Sequence, residues 1–407
     1  MFLSWESPWP ALGGGPLRTL GLLKQISKVG ELELIVLSKE ELNADQKREL
    51  QKYAGSIIRV KMQSTTPCDK LRILAHMFRY RLPYHCALID ISFRKAPEVQ
   101  KYIQNFPGVV YASYGHWGML VRGSKASNWV LDQQNADVDF WRAYSTQASS
   151  FWLKKAAVVN WRLAASCFPV IYSSVGRIVS VCEEDRQLTL PLAPQARIDV
   201  IENGVDCSYY FPERTPRQGP QRILFTGTSV PRNVTALRQF TRNVWPMIQS
   251  ELPDIELCVA GNFHPKAQVE FRKYTGIRFT GPVEDIRPYF NQSDVFIAPF
   301  EETHGSKLKI AEAMAMGMAI VSTPQGIRGF SLIDRESVLV ANNHEQFASL
   351  VVKLSRDRNL GERLGQAARK VAVATIDWRV LGQRLNTIIQ ETHANLARDR
   401  NNPKDLK

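Results

Sequence analysis

The chain has 407 residues, of which 44% are hydrophobic, and a formal net charge of +13. That length exceeds one ordinary core and suits two domains of about 200 residues each, and the apolar content excludes a disordered or fibrous chain. Basic residues outnumber acidic ones by 25 to 19 before Cys207 and by 27 to 20 from there on, so the excess is spread along the chain and no basic tail or recognition module for nucleic acid stands out.

Cys68, Cys86, Cys167, Cys182, Cys207 and Cys258 are scattered without CxxC or metal-like spacing, which argues against a disulfide framework or zinc site and for a reducing compartment. No stretch approaches ~18 consecutive apolar residues, and MFLSWESPWP lacks a basic n-region and a continuous apolar run. The expectation is a soluble, cytoplasmic, unprocessed protein. Between Asp139 and Glu183 there are five basic residues and no acidic one, interleaved with Phe151, Trp152 and Trp161. This pattern suits peripheral contact with an anionic membrane at its inner face or a phosphorylated acceptor, or else a solvated basic helix face.

In chain order, a short apolar start leads through a Pro-rich loop to Gly13-Gly14-Gly15, a helix over 16–29 and the strand 32–38, a βαβ opening. Three glycines before a helix let backbone N–H groups approach an anion, although the pattern is neither G-x-G-x-x-G nor a Walker loop, and a bare loop-breaking role is the competing account. A helix is expected at 43–53, a strand at 56–60, a basic amphipathic helix at 69–80, and strands near 109–112 and 129–131. The last ends at Asp132-Gln133-Gln134-Asn135, where α/β sheets place ligand groups. A long helical stretch over 136–175, a strand at 176–181, a helix signal at 183–185 and a strand at 198–201 complete this half, which closes at Asn203-Gly204-Val205-Asp206.

Residues 207–220 are polar and punctuated by proline, and read as a linker. A second βα series follows, with strands at 223–226, 256–260 and 278–281 and a helix at 233–249. It leads to Ser293–Phe330, where strand, turn, helix and strand follow directly on one another. A buried strand over 294–298 is followed by Gly305 and Ser306, an N-cap candidate, then helix formers from Lys307 to Met316 and Gly317 at a left-handed C′ position. Leu308, Ile310, Ala311, Met314 and Ala315 fall on a buried side, whereas Ser306, Lys309 and Glu312 share another stripe. That stripe can hold a diphosphate and a ribose, with Lys309 adding charge and Glu312 accepting from two hydroxyls; equally, it can be an i, i+3 ion pair on an amphipathic helix. Later helices are expected at 346–354 and from 376 onward, before a charged, frayed tail. The whole predicts two doubly wound, Rossmann-like α/β domains with a cleft between them.

These motifs, in this order, resemble the GT-B retaining glycosyltransferases of family 4, the glycosyl transferases group 1. The resemblance is carried by Gly13-Gly14-Gly15-Pro16-Leu17-Arg18, Ile201-Glu202-Asn203-Gly204-Val205-Asp206, Leu224-Phe225-Thr226-Gly227, Asp254-Ile255-Glu256-Leu257 leading to Gly261, Gly305-Ser306-Lys307-Leu308-Lys309-Ile310 and Glu312-Ala313-Met314-Ala315-Met316-Gly317. It implies an acceptor domain over 1–206, joined by a final helix returning over 376–396, and a nucleotide-sugar domain over 221–375. The two would face one another across the cleft. It implies that Glu312 holds the donor ribose, that Ser306, Lys307 and Leu308 approach the diphosphate, and that Lys309 and Arg232, after the Gly227 turn, neutralise it. Val283 lies where the base edge is held, and Gly14 and Gly15 where the glycine loop meets phosphate or acceptor.

Two positions depart from the family pattern. His304 stands where the first glutamate of the Glu-x7-Glu signature is expected, with Glu301 and Glu302 nearby, and Gln134 stands where the first-domain loop often carries a histidine. Gln134 can orient a substrate but cannot act as a general base. The resemblance implies transfer of a hexosyl group from a nucleotide-diphosphate sugar to an acceptor hydroxyl with retention, for polysaccharide or glycolipid synthesis. The nucleotide sugar would be a co-substrate, with neither metal nor other cofactor expected. The rival readings are a degenerate GT-B protein that binds a nucleotide sugar or a partner, and a GT-B epimerase.

Overall fold

The computed structural model describes residues 1–11, 13–63, 66–147, 150–213, 221–301 and 307–401. Contacts divide the chain into one unit of Met1–Ile201 with Gly382–Lys407 and another of Glu202–Leu381.

In the first unit the strands are β1 (Phe2–Trp5), β2 (Glu33–Ser38), β3 (Ser56–Lys61), β4 (Val110–Ser113), β5 (Ala126–Gln133), β6 (Val175–Ser180) and β7 (Arg197–Val200). Among the described residues they form a seven-stranded sheet in the order β3-β2-β1-β4-β5-β6-β7, parallel throughout. Both faces of such a sheet are covered by crossover helices, so its strands read as continuous apolar runs. Leu34, Ile35, Val36 and Leu37 in β2 are all fully buried.

The second unit has β8 (Arg222–Thr226), β9 (Glu256–Ala260), β10 (Ile277–Phe279), β11 (Val295–Ala298), β12 (Ala319–Ser322) and β13 (Leu339–Val340). They form a six-stranded parallel sheet in the order β10-β9-β8-β11-β12-β13. Each sheet reverses direction of winding once, between β1 and β4 and between β8 and β11. Ligand crevices in open α/β sheets lie at the carboxyl ends of strands beside that reversal.

Helices depart from expectation in several places. The first spans Gly14–Ile26, so Gly14 and Gly15 belong to its first turn and Gly13, at φ 105°, is the N-cap. Expected long helices split into Asp137–Gln147 and Phe151–Ser174, and into Pro231–Asn243 and Trp245–Glu251, where Pro246 opens a new first turn. Helices Tyr84–Phe93, Pro97–Gln104 and Arg358–Thr375 had no counterpart in the sequence reading.

The unit division falls at Ile201/Glu202 and at Leu381/Gly382, not at 206 and 376. The Val205 N–H donates to the Ile376 carbonyl at 2.9 Å and the Trp378 N–H to the Val205 carbonyl at 3.1 Å, which holds both crossing segments to the second unit. Gly204 is required there, because a Cβ would lie 2.6 Å from the Trp378 ring. From Gly382 onward the Trp378–Asn401 helix belongs to the first unit. In that unit Arg177, 3% exposed, donates to Glu391 at 2.8 Å and to the Ile388 carbonyl at 3.2 Å. Of the expected linker, Cys207 is buried and the Glu213 N–H donates to Asn291 at 3.2 Å; residues 214–220, like the tail from 402, lie outside the described residues.

Candidate active site

The carboxyl ends of β8 and β9 meet back to back. A Cβ on Gly261 would sit 2.1 Å from the Gly227 carbonyl oxygen, and Gly261 has φ +121°, so only glycine fits. The Gly227 N–H donates to the Ala260 carbonyl at 2.9 Å. Beyond Gly227 the chain enters the Pro231–Asn243 helix, two residues earlier than expected, with proline in its first turn.

That earlier start places Asn233 in the first turn. Its side-chain amide donates to the Thr228 carbonyl at 2.9 Å, and its oxygen accepts from Lys309 Nζ at 2.9 Å. Lys309 comes from the Leu308–Ala315 helix, whose N-cap is Lys307. Its ammonium lies 4.7 and 4.8 Å from the Phe225 and Phe300 ring centroids, and a Cβ on Gly227 would be 3.0 Å from it. Burial, then the Arg232 charge, hold Lys309 well below the usual lysine range, while Glu312 opposes the shift and Lys307 adds to it.

Glu312 is turned elsewhere. It accepts from the Tyr210 hydroxyl at 3.1 Å, and burial pushes its carboxyl up to about 7 against the opposing effects of Tyr210 and Lys309. Among the described residues no ion pair joins Lys309 to Glu312, which removes the ion-pair reading of this stripe. Lys307, 2% exposed, donates to the Gln325 carbonyl at 3.0 Å.

The helix ends at Gly317, in the left-handed conformation as expected (φ +61°). Ile310, Ala311, Met314 and Ala315 are fully buried, whereas Leu308 is only half-buried. Arg369 donates to the carbonyls of Ala315, Tyr210 (2.8 Å) and Cys207 (3.1 Å), so one side chain fixes both the helix end and the backbone that carries Tyr210.

Gly227, Arg232, Lys307, Leu308, Lys309 and Glu312 are therefore brought together at the β8/β11 reversal. Val283 is not part of that cluster: it lines a cavity of about 490 Å3 with Arg222, Arg278 and Tyr289. Glu301 accepts from Gln239 at 2.9 Å and lies 3.7 Å from His344. His304, Gly305 and Ser306 lie outside the described residues.

In the first unit, Gly15 packs under Tyr114 and Gln134, since a Cβ there would meet the tyrosine hydroxyl at 2.3 Å and Gln134 Oε1 at 3.1 Å. The Gln134 amide donates to Thr19 Oγ1 at 3.1 Å. Arg18, one turn beyond Gly14, makes a buried two-point pair with Asp132 at 3.0 and 2.5 Å. Gly15, Gln134, Arg18 and Asp132 thus form one assembly at the carboxyl end of β5.

Beside it lies an aromatic group the sequence reading missed. His116 stacks on Tyr114 (5.2 Å between centroids), makes an edge contact with Trp5 (4.5 Å) and lies tilted against His85 (5.2 Å). Burial pushes His85 down to about 4 and His116 well below the usual range. His116 Nε2 has no hydrogen-bond partner among the described residues.

Two parallel α/β units, each with its polar cluster at the sheet reversal, and a C-terminal helix that belongs to the first unit define the GT-B fold. Residues 220–357 match the family model of the glycosyl transferases group 1, which identifies the second unit as a domain of that family. The chain is 24% identical over 376 residues to the uncharacterized 44.6 kDa protein in the cps region of Klebsiella pneumoniae, covering 87% of this chain and 90% of that one. Sucrose-phosphate synthase from Thermosynechococcus elongatus superposes with a TM-score of 0.69 at 14% identity, covering 97% of this chain and 98% of that one. Anabaena Alr3699/HepE in complex with UDP-glucose gives 0.64 at 12% identity, covering 96% and 98%. Likeness at these identities concerns the fold.

No helix among the described residues is long and apolar enough to cross a membrane.

Proposed function

We propose that the protein is a retaining glycosyltransferase that moves a hexosyl group from a nucleoside-diphosphate sugar to an acceptor hydroxyl of a polysaccharide or glycolipid. The observation that carries this reading is that Lys309 and Glu312 do not pair with each other: Lys309 is held by a neutral amide beside Gly227 and Arg232, and Glu312 by a phenol. A half-buried cation next to another cation is unfavourable alone and becomes favourable when an anion arrives. A diphosphate is such an anion, and a ribose offers two hydroxyls to Glu312.

In this reading Arg232, Lys309 and the adjoining helix start stabilise the charge that develops on the departing diphosphate. The diphosphate's own oxygen takes the acceptor proton, consistent with a Gln134 that cannot titrate. Gln134, with Gly14 and Gly15, orients the acceptor or phosphate side. His304, with Gly305 and Ser306, reads the donor sugar, and the base is held near Val283. The nucleotide sugar serves as co-substrate, and these basic side chains serve in place of a metal.

The test is calorimetric binding of UDP, GDP and ADP, followed by a hydrolysis and transfer screen over their sugars with the anomeric configuration of the product read by NMR. Binding without turnover across the panel would leave a nucleotide-sugar-binding protein, and an inverted product would refute retention. Chelator-resistant turnover is expected. The absence of both binding and turnover would overturn the site.

A further inference from the structure

The Pro67–Tyr80 helix of the first unit buries Ile73 and Met77 but leaves Leu71 (67%), Leu74 (46%) and Phe78 (63%) exposed. At about 100° per residue, with Leu71 set at zero, Leu74, Phe78 and Ala75 fall at about −60°, −20° and +40°, one continuous outward stripe. Lys70 falls at about −100°, and Arg79 and Arg72 at about +80° and +100°, so cations rim the stripe on both sides. Arg81 follows as the C-cap. The helix's one acidic side chain, Asp69, serves the capping box, accepting from the Thr66 N–H at 3.0 Å and its hydroxyl at 2.8 Å, and its other oxygen lies 3.9 Å from the exposed Arg72 guanidinium.

We infer that this helix lies in the interface of an anionic bilayer, with Leu71, Leu74 and Phe78 among the acyl chains and Lys70, Arg72 and Arg79 at the headgroups. An apolar stripe explains insertion, and the two cationic rims choose the occupant. Their alkyl stems reach along the apolar surface while the charged ends meet lipid phosphates. A second copy docking on the same face by two-fold symmetry would set cation rim against cation rim. The start of the Phe151–Ser174 helix repeats the chemistry, with Phe151 (62%) and Trp152 (74%) exposed and Lys155 Nζ 4.5 Å from the Phe151 ring centroid. The Tyr84 N–H, soon after the first helix ends, donates to Asn160 of this second one at 2.8 Å. That a lipid-linked acceptor would be met at this surface rests on the transferase reading; the docking itself does not.

Co-sedimentation of the full chain with vesicles of phosphatidylglycerol in phosphatidylcholine, against phosphatidylcholine alone, tests the assignment. Binding to the anionic vesicles that weakens with salt is expected, and Leu74→Glu/Phe78→Glu should lower it at least about tenfold with unchanged melting and UDP binding. Should that variant fail to fold, Lys70→Glu/Arg72→Glu is the substitute, and it should abolish the preference for anionic vesicles. Absent vesicle binding by the wild type overturns the inference. So does variant binding equal to wild type, or complete loss through Phe151→Ser/Trp152→Ser alone. A wild-type dimer dissolved by Leu74→Glu/Phe78→Glu without vesicle binding would assign the face to a second copy instead. Vesicle binding by a wild type that takes no nucleotide would leave the docking standing and remove the transferase.

Discussion

Lys309 donates to the Asn233 side chain at 2.9 Å across the strand end marked by Gly227, while Glu312, on the next turn of the same helix, accepts from Tyr210. A neutral amide orients an ammonium without neutralising it, so the charge remains available to a diphosphate. Lys309→Ala should weaken UDP-class binding by about 10- to 100-fold, the range for a lost hydrogen bond to a charged group. Asn233→Ala should weaken it less, through misplacement of Lys309. Because the lysine's charge is poorly compensated where it stands, its removal should leave the melting temperature unchanged or raised. A large fall in melting temperature with unaltered nucleotide affinity would make Lys309 a structural residue.

The Glu312 carboxyl, pushed up to about 7 by burial from an ordinary 4.5, gives a pH signature. A raised carboxyl pKa means that the folded state holds the proton more tightly than the unfolded one. Its contribution is therefore present below about 4.5 and is lost as pH rises through about 7. Ionised Glu312 is the form that accepts two ribose hydroxyls, so nucleotide affinity should move the other way, rising through about 7. Calorimetry across that window should show both trends in the wild type and neither in Glu312→Gln. A 2′-deoxy nucleotide should show the weaker pH dependence of affinity.

Gly227 and Gly261 should separate function from folding. An alanine methyl at 261 would meet backbone, the Gly227 carbonyl at 2.1 Å, in a conformation with φ +121°. Gly261→Ala should cost about 3 kcal/mol or more of stability. At Gly227 the methyl would meet side-chain ends, Asn233 Nδ2 at 2.8 Å and Lys309 Nζ at 3.0 Å, which can shift. Gly227→Ala should fold and lose nucleotide affinity, as denaturant titration beside calorimetry would show.

The two α/β units were legible because buried parallel strands are continuous apolar runs, and β2, β11 and β12 declare themselves by composition alone. The Gly317 turn was legible for a similarly local reason, since a helix ending in glycine has one inexpensive conformation. Asn233 is not evident in the sequence because the periodicity places the helix start at 233 while the helix begins at Pro231, so Asn233 reads as an ordinary first residue. Tyr210 escaped because a polar, proline-rich stretch reads as a linker; its hydroxyl finds Glu312 only through tertiary packing. Arg369 lies on a helix without a strong sequence boundary, and nothing local announces that it reaches three carbonyls. His85 and His116 are separated by 31 positions and meet only because the Tyr84–Phe93 helix packs against the short turn Gly115–Val121. Sequence periodicity reports which residues are buried, but not which buried polar groups share a partner.

Arg18 and Asp132, 1% and 0% exposed, join the first turns of the Gly14–Ile26 helix to the end of β5. The same two elements supply Gly15 and Gln134, so the pair positions the loop that would meet the acceptor or a phosphate. Arg18→Ala leaves an uncompensated carboxylate in the interior and should cost about 3–5 kcal/mol, seen as a large fall in melting temperature. Arg18→Met/Asp132→Leu removes both charges while keeping volume and should recover most of that loss. If the pair serves only stability, the double variant will turn over as the wild type does. If it places Gln134 against Gly15, the double variant will melt normally and still show a reduced kcat, and restoring the pair alone will restore the rate.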